Sequence, residues 1–370
     1  MRKKQNNNGY IWQRPDWPDF SWDSEQLLHP LAEVNRLMGE LQGRVSMLGF
    51  EDRGKTQLEA LTAELVNSSD IEGLRLNPES VRSSIARRLG LDSEGLVNED
   101  HYVEGLVNVM MDAVRNASEP LTADRIFDWH AALFPTGRSG GVRISVAQWR
   151  SGAEAMRVVS GAMGHETVHF EAPPSPMVSA EMSKLLEWVE KEPVNAVIKS
   201  AIVHLWFVTI HPFDDGNGRI SRTLADMMLA RGDAGFGRYF SMSAEINRHK
   251  KSYYDILEDT QKGNMDITAW LLWFCDCLSG AISHTMDILD NAVRKGLYWQ
   301  RHQNAEVNER QRKVINRLWD GFEGKLTTSK WAKICHCSQD TALRDIRDLI
   351  DKGMLKPTEA GGRSTAYELP

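Results

Sequence analysis

The longest apolar stretch of the chain, residues 194–210, ends abruptly at His211-Pro212 and is followed within a few residues by Gly216-Asn217-Gly218. Lys199 and His204 interrupt it, and it is shorter than the roughly 20 apolar residues that span a bilayer. It reads as one helix of a soluble core, stopped by a proline that disfavours helical geometry at the residue before it. Further helical periodicity covers 27–66 (Leu31, Val34, Leu37, Met38, Leu41, Val45), 77–89, 100–116, 122–133 and 179–190. It resumes after Arg219 and over 251–261 and 267–283.

Between 137 and 176 glycine is frequent, and Val158-Val159 and Thr167-Val168-His169-Phe170 predict two short strands around a turn at Gly161-Ala162-Met163-Gly164. The expected fold class is mainly α, a helical bundle with one small β-hairpin. The stretch 10–22 holds too much proline for a helix and too many aromatic residues to stay solvated, so it is expected to wrap a neighbouring element.

From 308 the pattern is three helices (310–319, 328–334, 338–351), a short strand after Gly353, a Gly361-Gly362 turn and a strand over 364–369. That is the layout of a winged helix-turn-helix. The polar stretch 299–307 reads as a linker. A chain of 370 residues accommodates three parts: a helical region 1–116, a core 117–280, and the C-terminal module 308–370 behind a helix and linker at 281–307.

Composition excludes some classes. With 41% hydrophobic and 26% charged residues the chain is neither disordered nor collagen-like. The four cysteines form two C-x-C pairs, Cys275/Cys277 and Cys335/Cys337, too few and too clustered for a disulfide framework. With no signal-peptide pattern at the start, the expected address is cytoplasmic. A net charge of −7 argues against nucleic-acid binding by the whole surface, yet residues 306–370 carry 12 Lys and Arg against 10 Asp and Glu.

Chemistry concentrates at His211-Pro212-Phe213-Asp214-Asp215-Gly216-Asn217-Gly218-Arg219-Ile220-Ser221-Arg222. Backbone N–H groups of a glycine turn at a helix start converge on an anion. Arg219 and Arg222 add charge on one helical face. Asp215 beside phosphate oxygens suits Mg²⁺, and His211 suits removal of a proton from a hydroxyl. By spacing alone the segment is either a polyphosphate site or a glycine-rich helix connection with solvated arginines.

The segment resembles the Fic (Fido) motif, H-x-F-x-(D/E)-G-N-G-R-x-x-R, at every fixed position. The resemblance implies a protein adenylyltransferase that passes AMP from ATP to a Ser, Thr or Tyr hydroxyl of a target protein or of itself. It implies His211 as general base and Asp215 as the Mg²⁺ ligand. Gly216, Asn217, Gly218 and Arg219 would hold phosphates, Arg222 the γ-phosphate, and Phe213 would anchor the loop in the core.

Upstream, Ser68-Ser69-Asp70-Ile71-Glu72-Gly73 is similar to the family's inhibitory motif, (S/T)-x-x-x-E-(G/N), which implies that Ser68 and Glu72 autoinhibit from an N-terminal helix through a Glu72–Arg222 pair. The hairpin at 157–173 corresponds in position to the family's flap, where an extended target segment docks by β-augmentation. Asn247, Tyr253 and Tyr254 fall where relatives place residues near the base and ribose, and Tyr254 is carried over as a nucleotide contact.

His165-Glu166-Thr167-Val168-His169 matches the zinc-protease spelling H-E-x-x-H. That chemistry needs both histidines about 6 Å apart on adjacent helical turns, whereas the local residues predict a strand and a separation of about 13 Å. In the C-terminal module Thr341, Arg344 and Arg347 on the recognition helix, with Lys330, Lys333 and Arg363, form a phosphate-contacting set, although Asp340, Asp345, Asp348 and Asp351 interleave with them. Its expected partner is DNA or protein, homodimerisation included. The alternative function is a DNA-binding regulator that uses the nucleotide site for sensing or self-modification.

Overall fold

The helical periodicity becomes fourteen helices in a computed structural model that describes residues 9–91, 100–161, 165, 167–232, 238–322, 324–358 and 365–370. The chain divides into two compact units, Met1–Thr285 and Met286–Pro370. The first contains α1 (Ser24–Ser46), α2 (Phe50–Ile71), α3 (Pro78–Leu89), α4 (His101–Arg115) and α5 (Ala123–Leu133). After two strand pairs come α6 (Ser175–Lys191), α7 (Ala196–Ile210), α8 (Asn217–Gly232), α9 (Met242–Arg248), α10 (Lys250–Gln261) and the first part of α11 (Thr268–Arg301).

The apolar run forms α7, capped by the Asn195 side chain at Val197 N–H and buried on nearly every face. A helix that is apolar all round has to lie inside, and α6 and α8 pack along it. Ser200 donates to the Ala225 carbonyl of α8 at 2.8 Å, and Trp270 of α11 donates to the Ala201 carbonyl at 2.8 Å. His204, mid-helix, is held neutral by burial, which pulls its pKa to about 3, and pairs with the Tyr253 hydroxyl at 2.8 Å. Helix α4 packs on α5 and α8, while α2 packs on α3 and α9.

The aromatic stretch 10–22 wraps the bundle as its composition suggests. Trp12 and Trp17 donate at 2.7 Å to the Glu171 carbonyl and the Glu181 carboxylate, and Trp17 and Phe20 both stack edge-on against Trp206 of α7. The periodic region 27–66 is two helices, separated at Met47-Leu48-Gly49.

The expected hairpin is present as β3 (Arg157–Ser160) and β4 (Thr167–Glu171), antiparallel with a register shift at Val158/Val159. Part of its predicted turn, 162–164, lies outside the described residues. A two-residue pair, β1 (Arg138–Ser139) with β2 (Val142–Arg143), precedes it, too short to leave a period-2 signature in the sequence.

The second unit holds the end of α11, then α12 (Glu309–Trp319), β5 (Leu326–Thr327), α13 (Thr328–Cys335), α14 (Gln339–Asp351), β6 (Lys356–Pro357) and β7 (Ala366–Glu368). Its strands form an antiparallel sheet in the order β5-β7-β6. The reading of 299–307 as a linker is corrected: α11 continues to Arg301, and Trp299, Ala305 and Val307 pack on this unit's core. Tyr298 anchors the same stretch through its hydroxyl on the Met354 carbonyl at 2.6 Å. The Gly361-Gly362 turn and Arg363 lie outside the described residues.

Helices α4 and α5 meet at Gly105, where an added Cβ would lie 2.2 Å from the Ala132 carbonyl oxygen. Backbone cannot swing aside as a side chain can. Gly105→Ala is therefore expected to lower unfolding stability by about 1–3 kcal/mol, read as a reduced urea midpoint with an unchanged slope.

Candidate active site

Chain reversal at the end of α7 sets the first functional group. His211 closes the helix with φ 52° and ψ 58°, a left-handed conformation that a non-glycine residue rarely adopts. Its N–H donates to the Phe207 carbonyl at 2.9 Å, and its ring Nδ1 lies 3.2 Å from the Val208 carbonyl oxygen. Nδ1 is therefore the protonated nitrogen, which leaves the Nε2 lone pair free to accept a proton. Burial pulls the pKa below the ordinary histidine value. The Val208 bond opposes that shift, and the nearby Arg150 charge adds to it.

The loop after His211 is built around Asn217. Its side chain accepts from Phe213 N–H at 2.9 Å and donates to the Phe213 carbonyl at 2.8 Å, closing the turn on itself. Phe213 is fully buried and stacks on His130 of α5 with ring centroids 4.0 Å apart, in keeping with an anchoring role. His130 Nε2 is 3.2 Å from the Asp215 carbonyl oxygen, and its Nδ1 accepts from Ala147 N–H, also at 3.2 Å. Gly216 takes φ 84°, and a Cβ there would strike the Phe134 ring, so glycine is needed both for the turn and for the space.

Asp215 keeps a half-buried carboxylate, with 43% of its side chain exposed and Arg219 Nη2 3.9 Å from one oxygen. One oxygen accepts from Gly216 N–H at 2.6 Å and the other from the Ser139 hydroxyl. Among the described residues no group of three His, Cys, Asp or Glu side chains could hold a metal ion. A single partly exposed carboxylate beside a hydroxyl fits Mg²⁺, which keeps several waters and takes its remaining ligands from substrate phosphates. It would not fit Zn²⁺, which wants about four protein ligands in structural sites and three in catalytic ones.

Helix α8 begins at this turn and carries both arginines inward. Arg219 is 4% exposed, donates to the Tyr102 hydroxyl of α4 at 2.6 Å and lies over the Phe134 ring at 4.9 Å. Arg222 is 3% exposed and reaches the end of α2. Its Nε donates to Ser68 Oγ at 2.9 Å, and its Nη2 donates at 2.8 Å to both the Ser68 carbonyl and Glu72 Oε1. Among the described residues Arg219 Nε and Arg222 Nη1 have no hydrogen-bond partner, although the Tyr253 hydroxyl stands near the Arg222 guanidinium. Buried guanidinium donors left open are costly, so the turn has donors to spare for an anion.

Glu72 is carried into the site by α2. Glu64, one face up the helix, is buried and accepts from Ser241 Oγ, Ser243 N–H and Ser243 Oγ at the start of α9. Glu72 follows the last residue of α2 and lies directly over Gly218: a Cβ at Gly218 would sit 2.0 Å from Glu72 Oε1. The Tyr254 hydroxyl, on α10, donates to the Ile71 carbonyl at 3.4 Å, and burial with the Glu72 charge pushes its pKa up to about 12. Asn247 donates to Asn67 and Asp70. The structure thus gathers Ser68, Glu72, His211, Asp215, Gly216, Asn217, Gly218, Arg219, Arg222 and Tyr254 into one neighbourhood.

Tyr102, His130, Ser139 and Arg150 belong to the same neighbourhood and were not singled out from the sequence. No local spacing marks them, because each reaches the loop from a different element. In the hairpin, His169 lies on β4 between Ser160 Oγ at 2.6 Å and Glu258 at 2.7 Å. The strand expected for the H-E-x-x-H spelling is thus present at Thr167–Glu171, while Glu166 lies outside the described residues. All four cysteines are free.

Comparison with known proteins adds to this geometry. Residues 120–229 match the Fic/DOC family, and residues 10–91 match a domain of unknown function, DUF4172. The chain is 26% identical over 230 residues, 60% of its length, to "Protein adenylyltransferase Fic" of Culex quinquefasciatus. It is 29% identical over 150 residues, 38% of its length, to a "Uridine 5'-monophosphate transferase" of Xanthomonas campestris pv. campestris (strain 8004). It covers 41% of the first relative and 27% of the second, less than half of either. A crystal structure of a Fic family protein from Desulfovibrio desulfuricans G20 shares the fold, with a TM-score of 0.53 at 19% identity over 93% of this chain and 96% of that one. A segment that matches the Fic/DOC family thus sits in a mainly helical fold.

Burial holds His211 neutral further into the acid range than an exposed histidine. Its ring ¹⁵N signals are therefore expected to titrate with a midpoint below about 6.5, with Nδ1 as the protonated nitrogen above that midpoint.

Proposed function

We propose that the chain is a nucleotidyltransferase that moves AMP from ATP to a Ser, Thr or Tyr hydroxyl of a target protein or of itself and releases pyrophosphate. One observation carries this reading. Two buried arginines, Arg219 and Arg222, each with a donor unpartnered among the described residues, meet a glycine turn at a helix start beside a neutral histidine and a partly exposed carboxylate. Such a turn favours a polyphosphate, and the family match and the Culex relative's name favour adenylyl transfer.

In this reading the target hydroxyl gives its proton to His211 Nε2 as its oxygen bonds to the α-phosphorus. The bond from that phosphorus to the pyrophosphate oxygen breaks on the opposite side. The N–H groups at 216–218 and Arg219 orient the phosphates, and Arg222 orients the γ-phosphate. Asp215 would hold Mg²⁺, which when bound neutralises phosphate charge. The target segment docks along β3 and β4 by strand addition.

Glu72 supplies regulation in the same reading. Its carboxylate takes up Arg222 Nη2 and covers Gly218, so a triphosphate cannot engage both. A hydrogen bond to a charged group is worth about 1.5–3 kcal/mol, roughly tenfold to hundredfold in rate. Glu72→Gly should therefore raise self-modification by that range. Intact mass after incubation with Mg²⁺ and ATP, and separately UTP, checks both claims. An AMP-sized increment that needs His211 and grows in Glu72→Gly is expected. A phosphate-sized increment would redirect the reading to kinase chemistry, and a UMP-only increment would change the nucleotide.

A second reading, DNA binding through the C-terminal unit, is favoured by one feature of α14. Asp345 is occupied by Arg310 and Asn308, and Asp348 by Gln311 and Lys352. Arg344 and Arg347 are exposed, so half of the interleaved acids are turned to internal partners. If this unit reads phosphates, the full chain retards mixed duplex DNA at low salt. Arg344→Ala with Arg347→Ala then weakens binding and lowers the salt slope by about 1 per lost phosphate contact; no retardation even at low salt leaves protein docking as the role.

A further inference from the structure

Arg150 is 4% exposed, and burial disfavours its charge while the Asp214 carboxylate favours it from beyond direct contact. Its Nε donates to the His211 carbonyl at 2.7 Å. Its Nη2 donates to the Pro173 carbonyl and, at 3.3 Å, to the Ile210 carbonyl. Its own N–H donates to the Pro212 carbonyl at 2.9 Å. A buried guanidinium whose direct contacts are carbonyl oxygens, with the Asp214 charge nearby to favour it, is still an expensive way to stabilise a loop. Apolar packing would do it more cheaply, so the placement of the charge needs a further reason.

Two features supply that reason. His211 is held left-handed at φ 52°, a conformation about 1–2 kcal/mol less favourable than the helical one for an L-residue. Its carbonyl is fixed by Arg150 on one side and its N–H by Phe207 on the other. Pro173, meanwhile, follows the end of β4 by two residues, so one guanidinium joins the root of the hairpin to the backbone of the histidine. The preceding residues brace the same loop: Ser145 N–H donates to Asp214 at 2.9 Å, Ala147 N–H to His130, and Trp149 packs on Phe213 at 5.1 Å.

We propose that Arg150 is a positioning residue that sets the His211 imidazole in register with the hairpin, so that a hydroxyl docked along β3 and β4 meets Nε2 at bonding distance. The proposal deepens the transferase reading and rests on it. It assigns Arg150 no contact with nucleotide or target. A misplacement of about 1 Å in a reacting group can cost on the order of hundredfold in rate, whereas nucleotide held at 216–222 keeps its contacts.

The test uses the full chain with Glu72→Gly, comparing Arg150, Arg150→Met and Arg150→Lys. ATP affinity with Mg²⁺ is measured by calorimetry and the rate of self-modification by intact mass. Arg150→Met is expected to keep ATP affinity within about twofold, lose roughly hundredfold in rate, and recover partly with added methylguanidinium. Arg150→Lys keeps the charge but lacks the planar fork, so it stays slow, and it decides the matter if Arg150→Met does not fold. Equal losses of affinity and rate, or an unchanged rate, would overturn the proposal and leave a structural role.

If the Arg150 chain itself gains no nucleotide, the transferase reading fails, and the positioning claim is judged from the His211 ring titration in the chain with native Glu72. The charged groups acting on that ring are Arg150, Glu72 and Asp215. Loss of the Arg150 fork should release the ring from the Val208 carbonyl, read as loss of the fixed Nδ1-protonated tautomer above the midpoint, and an unchanged tautomer ratio would overturn the proposal.

Discussion

Burial of the Arg222 guanidinium is the constraint on which the arrangement of the first unit turns. A charge taken out of water costs several kcal/mol unless its hydrogen bonds are replaced. The replacements come from a segment 150 to 154 residues earlier in the chain, the Ser68 hydroxyl and carbonyl and the Glu72 carboxylate. Helix α2 therefore has to lie where its end reaches the start of α8. The Glu64 carboxylate holds it there, on the serines at the start of α9. Among the described residues one donor of Arg222 and one of Arg219 find no partner, so the contact satisfies the charge without saturating it. An incompletely satisfied cation facing a helix start is a standing invitation to an anion, and Glu72 occupies part of that space.

His211 is set by a similar economy of backbone. The apolar helix α7 cannot continue past Pro212, and the reversal puts the histidine in a strained conformation at the mouth of the turn. Its Nδ1 is committed to the Val208 carbonyl, its pKa is lowered by burial, and the Nε2 lone pair is left to accept a proton. Strain of this kind persists where surrounding bonds over-determine it, and Arg150, Asn217 and His130 supply those bonds.

The helices, the hairpin and the contiguous segment 211–222 were legible in the sequence because their signals are local: periodicity, proline, glycine spacing and a run of chemistry within twelve residues. Glu72 was legible only by resemblance, since a serine and a glutamate four residues apart say nothing about a partner 150 residues away. Tyr102, Ser139, His130 and Arg150 were not legible. Each makes its contact through tertiary packing, and nothing in Arg150's neighbours distinguishes a buried clamp from a solvated arginine. The stretch 299–307 was misread for the converse reason: its polar texture hides Trp299 and Val307, which pack on the C-terminal core. Charge shows the same limit. The total of −7 describes a surface, while the site is a small cationic turn within it.

The central claim is that the turn at 216–222 presents the α-phosphorus of a nucleoside triphosphate to a hydroxyl whose proton goes to His211. Paired incubations with α-labelled and γ-labelled ATP test it most directly, in the chain carrying Glu72→Gly and in the same chain with His211→Ala. The account predicts protein-bound label from the α position only, abolished without His211. Label retained from the γ position, or α-label undiminished without His211, would contradict it.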